Sequence, residues 1–514
     1  MLVNNFLENS ALRFPDKIAL ICGNEHFSYQ QINDSANRFA SALINLGVGR
    51  QDRVLIFLDN SAESVISLFG ILKAGGIFVM PNATMKIKKL NYIIKDTSAR
   101  ILITHKNKAR IINGAVKDVA DLDHIIWIEK PGNLSLQNSI NSHLFDEMIS
   151  NTQTFCFSHG NPVIDVDLAT LIYTSGSTGD PKGIMSAHYN VVSAVRSITS
   201  YLKNVESDII LNTLPLSFDY GLYQIFMAFL FGGTVVLEKS FAYPYKVLQN
   251  LVEKRVTGFP IVPTMAALLL QIEDLSKFDF SSIRYISNTA AVLQVPYIQK
   301  LQKIFPDANI YSMYGLSECK RVSYLPPEDI NRKPESVGIP MPNEEVFIVD
   351  KDGNKVGPNV VGELVVRGSN VMQGYWNDPE ETAKSFRSGR YKGETLLYTK
   401  DLFKKDEEDY LYFIARKDNL IKTKGERISP KEIENVLCEI DGVIDAAVIG
   451  VPDEVIGQAI KAFVQVKGKS NLTEKKVFNY CMKNLEPFML PKWIEFVDTL
   501  PKLSTGKINI RALK

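Results

Sequence analysis

The sequence is poor in cysteine and contains no long apolar run, and these two shortages exclude several classes of protein. Its five cysteines are odd in number and widely scattered, with no CxxC pair, so the sequence indicates neither a disulfide framework nor a cysteine-based zinc site. The longest apolar stretch, residues 222–237, is interrupted by Gln224 and by Gly232-Gly233, which argues against a membrane span. We therefore expect a soluble protein in a reducing, cytoplasmic compartment.

An excess of charge of either sign is also missing. The 58 lysines and arginines nearly balance the 57 aspartates and glutamates, for a formal net charge of +1. This balance gives no electrostatic reason to expect nucleic acid or an anionic membrane as a partner. An anionic ligand must therefore be bound by local features of the chain.

Length and apolar content are what the chain has in quantity. At 514 residues, of which 45% are hydrophobic, the chain exceeds what one core usually serves, so two or more domains are expected. Strand-like apolar runs alternate with segments of helical spacing, as in residues 53–58, 61–74 and 77–80. This alternation predicts an α/β fold in which mostly parallel sheets are covered by helices.

Three parts of the chain depart from this alternation. After Val337, short β-like runs predict a smaller β-rich subdomain. The last part, about a hundred residues, reads as a compact α+β unit. The polar and weakly periodic stretch at residues 130–166 predicts a surface excursion.

A loop rich in hydroxyl groups and glycine follows the strand-like run at residues 169–173. It contains the hydroxyl donors Thr174, Ser175, Ser177 and Thr178, the glycines Gly176, Gly179 and Gly183, and the cation Lys182. Hydroxyl and backbone N–H donors beside a positive charge suit a polyphosphate. The loop is not a Walker A motif, because Gly183 follows Lys182. A solvated Ser/Gly/Thr loop is the alternative interpretation.

Two further polar loops fall where strands should end, at residues 288–291 and 313–320. In open α/β sheets, ligands gather outside the carboxyl ends of strands, so these loops and the first one predict a single crevice. Within the second loop, Glu318 is either a solvated acid or a carboxylate for Mg²⁺ beside the phosphates.

Asp219 stands alone in the otherwise apolar and aromatic stretch at residues 216–221. It is either the N-cap of a helix predicted at residues 222–230, or a buried carboxylate that faces a ligand amine. The residues alone leave both interpretations open.

Five segments, taken in order, resemble the core motifs of the adenylate-forming superfamily of acyl-CoA synthetases, amino-acid adenylation domains and luciferases. They are residues 173–183, 314–318, 398–401, 416–434 and 501–507. The resemblance implies an N-terminal core at residues 1–416, with the β-rich subdomain at 337–416, and a small mobile C-terminal lid domain at 417–514. It also implies that a carboxylate attacks the α-phosphorus of ATP, which gives an acyl-adenylate and pyrophosphate, before the acyl group passes to a thiol.

The resemblance assigns roles position by position. Lys507 matches the catalytic lysine that bridges the substrate carboxylate and the adenylate oxygens, and Glu318 matches the magnesium-associated glutamate. The phosphate loop would comprise Thr174, Ser175, Gly176, Ser177, Thr178, Gly179 and Lys182, and the adenine and ribose site Asn288, Thr289, Tyr314, Asp401 and Arg416. Asp418 matches the hinge of the lid domain, and Gly425 lies in the hairpin that turns toward the thiol arm.

This chain departs from the superfamily pattern at two places. The superfamily usually has glycine where Lys400 stands, and a glycine pair where Asn288-Thr289 stand. The second departure touches the adenine pocket, so the resemblance does not extend to the contacts of the base.

The segment Phe218-Asp219-Tyr220 resembles the stretch of amino-acid adenylation domains whose aspartate pairs with the α-ammonium of the substrate. The remaining pocket positions are Tyr220, Tyr223, Pro260, Ile286, Asn288, Met313, Arg321 and Val322. Most are apolar and bulky, which implies a small apolar or cyclic side chain such as that of L-proline. Arg321 does not fit unless it points away.

The expected acceptor follows from the position of Lys507, which lies only seven residues before the end of the 514-residue sequence. We expect no fused carrier domain, so the thiol would be the phosphopantetheine of a discrete carrier protein, with ATP and Mg²⁺ as cofactors. The nearest alternative is an acyl- or aryl-CoA synthetase that uses CoA. A catalytically silent nucleotide-binding protein is the alternative from another class, and the intact Lys507, Glu318 and Asp401 argue against it.

Overall fold

The computed structural model describes residues 1–132, 140–152, 163–175, 180–272, 274–417, 420–423, 426–453, 456–466, 472–503 and 506–513. Within these ranges the helices are α1 Asn5–Arg13, α2 Tyr29–Asn45, α3 Ala62–Ala74, α4 Ile87–Thr97, α5 Ala109–Ala115, α6 Phe145–Asn151, α7 His188–Tyr201, α8 Asp219–Phe231, α9 Pro244–Glu253, α10 Pro263–Leu269, α11 Val295–Ile304, α12 Pro379–Ser385, α13 Pro430–Cys438 and α14 Glu474–Asn484.

The strands are given in the same chain order. The first sixteen are β1 Ile18–Cys22, β2 Glu25–Ser28, β3 Arg53–Phe57, β4 Ile77–Val79, β5 Ile101–Thr104, β6 His124–Trp127, β7 Asn141–Leu144, β8 Leu168–Ser175, β9 Pro181–Ala187, β10 Ile209–Asn212, β11 Thr234–Leu237, β12 Gly258–Ile261, β13 Tyr285–Asn288, β14 Asn309–Tyr314, β15 Ser323–Tyr324 and β16 Ile339–Pro340. The others are β17 Glu344–Val349, β18 Gly362–Gly368, β19 Phe386–Ser388, β20 Thr395–Lys405, β21 Leu411–Arg416, β22 Ile421–Thr423, β23 Glu426–Ile428, β24 Val443–Asp453, β25 Gly457–Val466 and β26 Trp493–Val497.

Two large sheets form most of the N-terminal part, and most of their strand pairs are parallel. One has nine strands in the order β16-β15-β14-β13-β12-β10-β11-β1-β2, and the other has seven in the order β7-β6-β5-β3-β4-β8-β9. Their central strands, such as β5 and β11, are short apolar runs buried along their whole length. Strands of this kind need cover on both faces. The predicted α/β architecture of mostly parallel sheets is confirmed.

Helices α3 and α8 are buried on nearly every face because they pack against both sheets. One continuous core joins them to Phe78 of β4 in one sheet and to Val235 of β11 in the other. The ring of Phe226 in α8 lies 6.2 Å from that of Phe6, 6.4 Å from that of Phe69 and 6.4 Å from that of Phe78. A helix without a polar face is stable only in such a setting.

The β-rich subdomain and the C-terminal part each form their own sheet, as the sequence predicts. The first has the order β17-β18-β20-β19 with β21 beside β20, and the second has the order β23-β22-β25-β24 with β26 beside β25. Helices α13 and α14 cover the C-terminal sheet and share its core. Among the described helices, none has the length and apolar composition needed to cross a bilayer.

The expectation of a surface excursion at residues 130–166 is wrong for residues 141–151. Strand β7 pairs in parallel with β6 at the edge of the seven-stranded sheet. Phe145 at the start of α6 is buried, with its ring 4.8 Å from that of Phe39. An edge strand keeps one side toward water, so its polar composition disguises it.

We expect Phe226→Ala to lower the free energy of unfolding of the N-terminal part by about 3–5 kcal/mol, since the change empties a fully enclosed aromatic site. The midpoint of urea unfolding, followed by circular dichroism, measures it. Leu12→Ala, at a side chain that is 83% exposed, is the control and should stay within about 0.5 kcal/mol of the parent. Equal midpoints for the two variants would contradict the packing described above.

Candidate active site

Two of the three polar loops predicted at strand ends lie at one edge of the nine-stranded sheet, whereas the first follows β8 of the seven-stranded sheet. Strand β13 ends at Asn288, and β14 runs beside it in parallel with Ser312 level with Asn288. Gly506 and Lys507 of the C-terminal part reach the same edge, where they line a cavity of about 60 Å³ together with Ala290. The C-terminal motif that contains Lys507 and the loop after β13 therefore meet at one cleft.

Lys507 is the cation at the centre of this cleft. Protein surrounds its ammonium group, and burial lowers its pKa below the usual 10.5, although Asp219, Asp401 and Glu318 oppose that shift. Among the charged groups, Asp219 acts on it most strongly. Lys507 as a whole residue is nonetheless exposed to solvent. A cation that faces carboxylates from three separate segments of the chain can neutralise negative charge that develops between them.

Asp401 is a buried carboxylate at the irregularity in β20. The Tyr314 hydroxyl donates a hydrogen bond to its Oδ2 at 2.6 Å, and Arg416 Nε lies 2.9 Å from its Oδ1. Burial raises the pKa of Asp401, whereas Arg416 and the Tyr314 hydrogen bond lower it. Among the described residues, Oδ1 receives no well-aligned hydrogen bond. It therefore keeps acceptor capacity of the kind that ribose hydroxyls need.

Glu318, the predicted magnesium carboxylate, is half-buried in the loop after β14. Its Oε1 accepts a hydrogen bond from the Tyr375 hydroxyl at 2.8 Å. No cluster of three or more metal-binding side chains occurs within the described ranges, so Mg²⁺ here would depend on one carboxylate and on phosphate oxygens. Mg²⁺ is commonly bound in that way, and Glu318 fits the requirement.

The two ends of the predicted phosphate loop belong to paired strands. Strands β8 and β9 are antiparallel, with Thr174 paired to Lys182 and Ser175 to Pro181. The sequence predicts β8 but not β9, because a proline and a glycine within so short a segment usually indicate a loop. The described ranges do not include Gly176, Ser177, Thr178, Gly179 or the side chain of Ser175.

Lys182 lies against the acidic start of helix α12. Its Nζ is 3.4 Å from Glu381 Oε1 and 3.9 Å from Asp378 Oδ2, and it lies 5.6 Å from the centre of the Tyr375 ring. Because Tyr375 also binds Glu318, one ring contacts both the predicted phosphate lysine and the predicted metal ligand. Sequence reasoning missed Glu381 and Tyr375, which become neighbours of Lys182 only through the fold.

Asn288 and Thr289 are buried at the end of β13. Asn288 Nδ2 donates to the carbonyl of Ala291 at 3.1 Å, while Asn288 Oδ1 has no partner among the described residues. A buried acceptor without a donor is costly unless a ligand supplies one, and the amino group of a base can do so. Where the superfamily usually has a glycine pair, this chain therefore offers a side-chain acceptor.

The interpretation of Asp219 as a helix N-cap is wrong. Helix α8 begins at Asp219 itself, and its cap residue is Phe218, which makes no capping hydrogen bond. Asp219 lies in the first turn, where the partial positive charge of the helix N-terminus favours a carboxylate. Its side chain is buried, and its Oδ2 is 3.9 Å from Lys320 Nζ. Groups at this distance form an ion pair, but they are too far apart for a hydrogen bond.

Lys320 is a second buried lysine in the site, and sequence reasoning assigned it no role. It is 2% exposed, and its Nζ has no hydrogen-bond partner among the described residues. The ammonium lies 5.6 Å from the centre of the Tyr223 ring. Burial lowers the pKa of Lys320 below 10.5, although Asp219 raises it. The one signal in the sequence is its position two residues after Glu318.

The predicted substrate pocket has mostly aromatic and apolar walls. Those packed in the main core are Tyr220, Tyr223, Ile286 and Met313, and Pro260 is buried in β12 beside them. Tyr220 OH donates to the carbonyl of Ser287 at 2.7 Å. Such side chains would suit a compact apolar group, and their role as pocket walls stays a prediction.

Arg321 and Val322 do not behave as the pocket prediction requires. The Arg321 guanidinium is buried and lies 4.6 Å from the centre of the Tyr220 ring, so Arg321 does not point away from the pocket walls. Val322 packs with Ile184 and Val337 in the core of the β-rich subdomain. The assignment of Val322 to the pocket stays a prediction. Asp418 and Gly425, the predicted hinge and thiol-arm residues, lie outside the described ranges.

Comparisons with known proteins agree with this arrangement. Residues 7–376 match the AMP-binding enzyme family, and residues 432–507 match the AMP-binding enzyme C-terminal domain. A long-chain-fatty-acid–CoA ligase of Bacillus subtilis (strain 168) is 31% identical over 99% of this chain and 94% of that protein. Tyrocidine synthase 1 of Brevibacillus parabrevis is 27% identical over 99% of this chain but 44% of that protein.

A solved structure of the same overall shape carries an adenylate. The crystal structure of an anthranilate CoA ligase in complex with anthranoyl-AMP superposes with a TM-score of 0.90 at 28% identity, over 100% of this chain and 96% of that one. An acyl-adenylate is thus a known ligand of a protein with this fold.

We expect Asp401→Asn to weaken ATP binding by about tenfold or more, because the amide keeps the shape of the side chain but loses the charge and one acceptor. Isothermal titration calorimetry with ATP measures the change. Asp409→Asn is the matched control, since that carboxylate is exposed in the turn between β20 and β21 and pairs with Lys405. Equal ATP affinities for the two variants would remove Asp401 from the nucleotide site.

Proposed function

We propose that this chain, which belongs to the AMP-binding enzyme family and is an adenylate-forming ligase, takes an amino acid as its acid substrate. The aminoacyl group would pass to the phosphopantetheine thiol of a separate carrier protein. A small apolar or cyclic side chain, such as that of L-proline, suits the apolar walls around Tyr220 and Tyr223.

The observation that carries this proposal is the juxtaposition of Asp219 and Lys507. A buried carboxylate at the start of α8 is the strongest charged neighbour of the Lys507 ammonium. A zwitterion matches that pair, because its ammonium can bind Asp219 while its carboxylate binds Lys507. Charge-assisted contacts at both ends in an enclosed site select strongly for amino acids.

The placement of Asp219 and Lys507 would also support the first half-reaction, the formation of the acyl-adenylate. A carboxylate oxygen of the substrate attacks the α-phosphorus of ATP, so a carbonyl C–O–P bond forms while the bond from that phosphorus to the bridging oxygen of pyrophosphate breaks. The Lys507 ammonium neutralises negative charge that gathers on the α-phosphate and the entering carboxylate. Lys182 holds the leaving pyrophosphate, and Asp401 holds the ribose. When bound by Glu318 and phosphate oxygens, Mg²⁺ supplies further neutralising charge.

In the second half-reaction, the sulfur of the acceptor thiolate attacks the acyl carbon. A C–S bond forms, the C–O bond to the phosphate breaks, and AMP leaves.

Lys320 favours a second candidate function, an acyl- or aryl-CoA ligase. Its ammonium lies 3.9 Å from Asp219, so the chain itself already supplies a counter-charge to that carboxylate. An acid without an amine would then leave no buried charge without a partner. The two candidates differ in whether Asp219 binds the substrate or binds only Lys320.

ATP–pyrophosphate exchange across the twenty amino acids and a panel of fatty and aryl acids separates the candidates. We expect exchange with one amino acid or a few, and Asp219→Asn should lower kcat/KM for them by about a hundredfold, the effect of removing one partner of a buried charge pair. Lys320→Met is the matched control that removes the internal counter-charge, and exchange with amino acids should survive it.

Exchange that depends on fatty or aryl acids and is indifferent to Asp219→Asn would instead establish the CoA ligase. No exchange with any amino acid would contradict the proposal. Thioester formation with CoA and with a loaded carrier protein then identifies the acceptor.

The pH dependence of exchange tests the role of Lys507. Its charged form is the active one, and burial lowers its pKa. The value of kcat at saturating amino acid, which does not report titration of the free substrate ammonium, should therefore fall on the alkaline side at a pH below the 10.5 of a free lysine. Lys507→Arg stays charged and should flatten this decline while lowering the maximum rate. Lys507→Ala should abolish exchange. An alkaline decline that is the same in Lys507→Arg would contradict the assignment.

A further inference from the structure

Lys400 adopts a backbone conformation that L-residues seldom occupy. Its φ is 61°, in the left-handed region where glycine is usually found. The backbone is fixed on both sides, since its N–H donates to Glu363 Oε1 at 2.9 Å and its carbonyl accepts from the N–H of Lys417 at 2.9 Å. A lysine at such a position is retained at a cost in backbone energy, so its side chain is expected to have a use.

The side chain of Lys400 binds a carboxylate that also contacts the predicted phosphate lysine. Lys400 Nζ donates to Glu381 Oε1 at 2.8 Å, and Lys182 Nζ lies 3.4 Å from the same oxygen. The hydrogen bond from Lys400 is the main reason why the pKa of Glu381 falls to about 2. Glu381 is therefore an anion under all ordinary conditions. The ammonium groups of Lys400 and Lys182 share its Oε1, and that of Lys384 lies 3.5 Å from its Oε2.

Without Lys400, Oε1 of the same carboxylate would act on Lys182 alone, while Lys384 stays 3.5 Å from Oε2. Lys182 would then face Glu381 Oε1 at 3.4 Å and Asp378 Oδ2 at 3.9 Å. No other cation would compete for Glu381 Oε1 among the contacts described for that atom. A polyphosphate would have to separate Lys182 from an undivided ion pair before binding it. With Lys400 present, Glu381 Oε1 keeps its 2.8 Å hydrogen bond when Lys182 turns to the phosphates, so this partly buried oxygen is not left without a donor.

We propose that Lys400 is a positioning residue for nucleotide binding: by taking over Glu381, it frees Lys182 for the phosphates of ATP. This proposal rests on the proposed function only in so far as Lys182 is the phosphate lysine. It does not depend on which acid is activated or on which thiol accepts the acyl group.

Two other roles for Lys400 make different predictions. A merely structural role, in which Lys400 fastens α12 to β20, would affect stability. A direct contact between Lys400 and the phosphates would make the loss of Lys400 harmful whatever stands at position 381. A double-mutant cycle with Glu381 separates all three.

The test uses the whole protein and measures ATP and pyrophosphate binding by calorimetry without any acid substrate. Lys400→Gly removes the ammonium and relieves the left-handed backbone, so it should fold at least as well as the parent, with an equal or higher Tm. Its dissociation constants for ATP and pyrophosphate should rise about three- to fivefold, the range of a single partly exposed ion pair. Lys400→Asn, which also tolerates a positive φ, should behave alike.

Glu381→Gln supplies the decisive arm, because the amide no longer holds Lys182. In that background, Lys400→Gly should change ATP affinity by less than about 1.5-fold, within the usual limits of additivity. If the exchange assay is also used, KM for ATP should follow the dissociation constant while kcat stays within about twofold. Unchanged ATP affinity in Lys400→Gly, or a loss that persists in the Glu381→Gln background, would overturn the proposal. Failure of the parent to bind ATP at all would instead overturn the proposed function.

Discussion

The balance of charge around Lys507 is the constraint on which the rest of the site depends. Its ammonium is surrounded by protein and faces Asp219, Asp401 and Glu318, which come from three separate segments of the large N-terminal part. Burial disfavours a charged lysine, and the carboxylates restore it. The cleft therefore holds this cation only when the C-terminal part is in contact with the loops at the sheet edge, which would link the arrangement of the two parts to the proposed chemistry.

A second set of charges lies where the proposed function places the phosphates of ATP. Lys182, Glu381 and Lys400 form a chain of alternating charge at the start of α12, and Tyr375 connects it to Glu318 through a 2.8 Å hydrogen bond. Ion pairs of this kind are worth little for stability when they are partly exposed. Their use here is to hold cations in place without binding them so tightly that phosphate cannot compete.

Most of the fold and of the candidate site could be predicted from the sequence. Buried parallel strands are recognisable as apolar runs, and each motif of the cleft is contiguous in the chain. Strand β9 was not predicted because it contains a proline and a glycine. Strand β7 and helix α6 were not predicted because they lie at the edge of a sheet, where the composition is polar. Lys320, Tyr375 and Glu381 were missed for another reason. They act through contacts with residues distant in sequence, such as Lys320 with Asp219 at 3.9 Å, and no local pattern encodes such pairs.

The central claim is that Asp219 binds the ammonium of an amino acid whose carboxylate meets Lys507. The most direct measurement compares the affinity of prolyl-sulfamoyl-adenosine, a stable mimic of an aminoacyl-adenylate, with that of its cyclopentanecarbonyl counterpart, in which carbon replaces the amine. The account predicts tighter binding of the amine-bearing compound by about ten- to a hundredfold, as for a hydrogen bond to a charged group, and loss of this preference in Asp219→Asn. Equal affinity of the two compounds for the parent protein would contradict it.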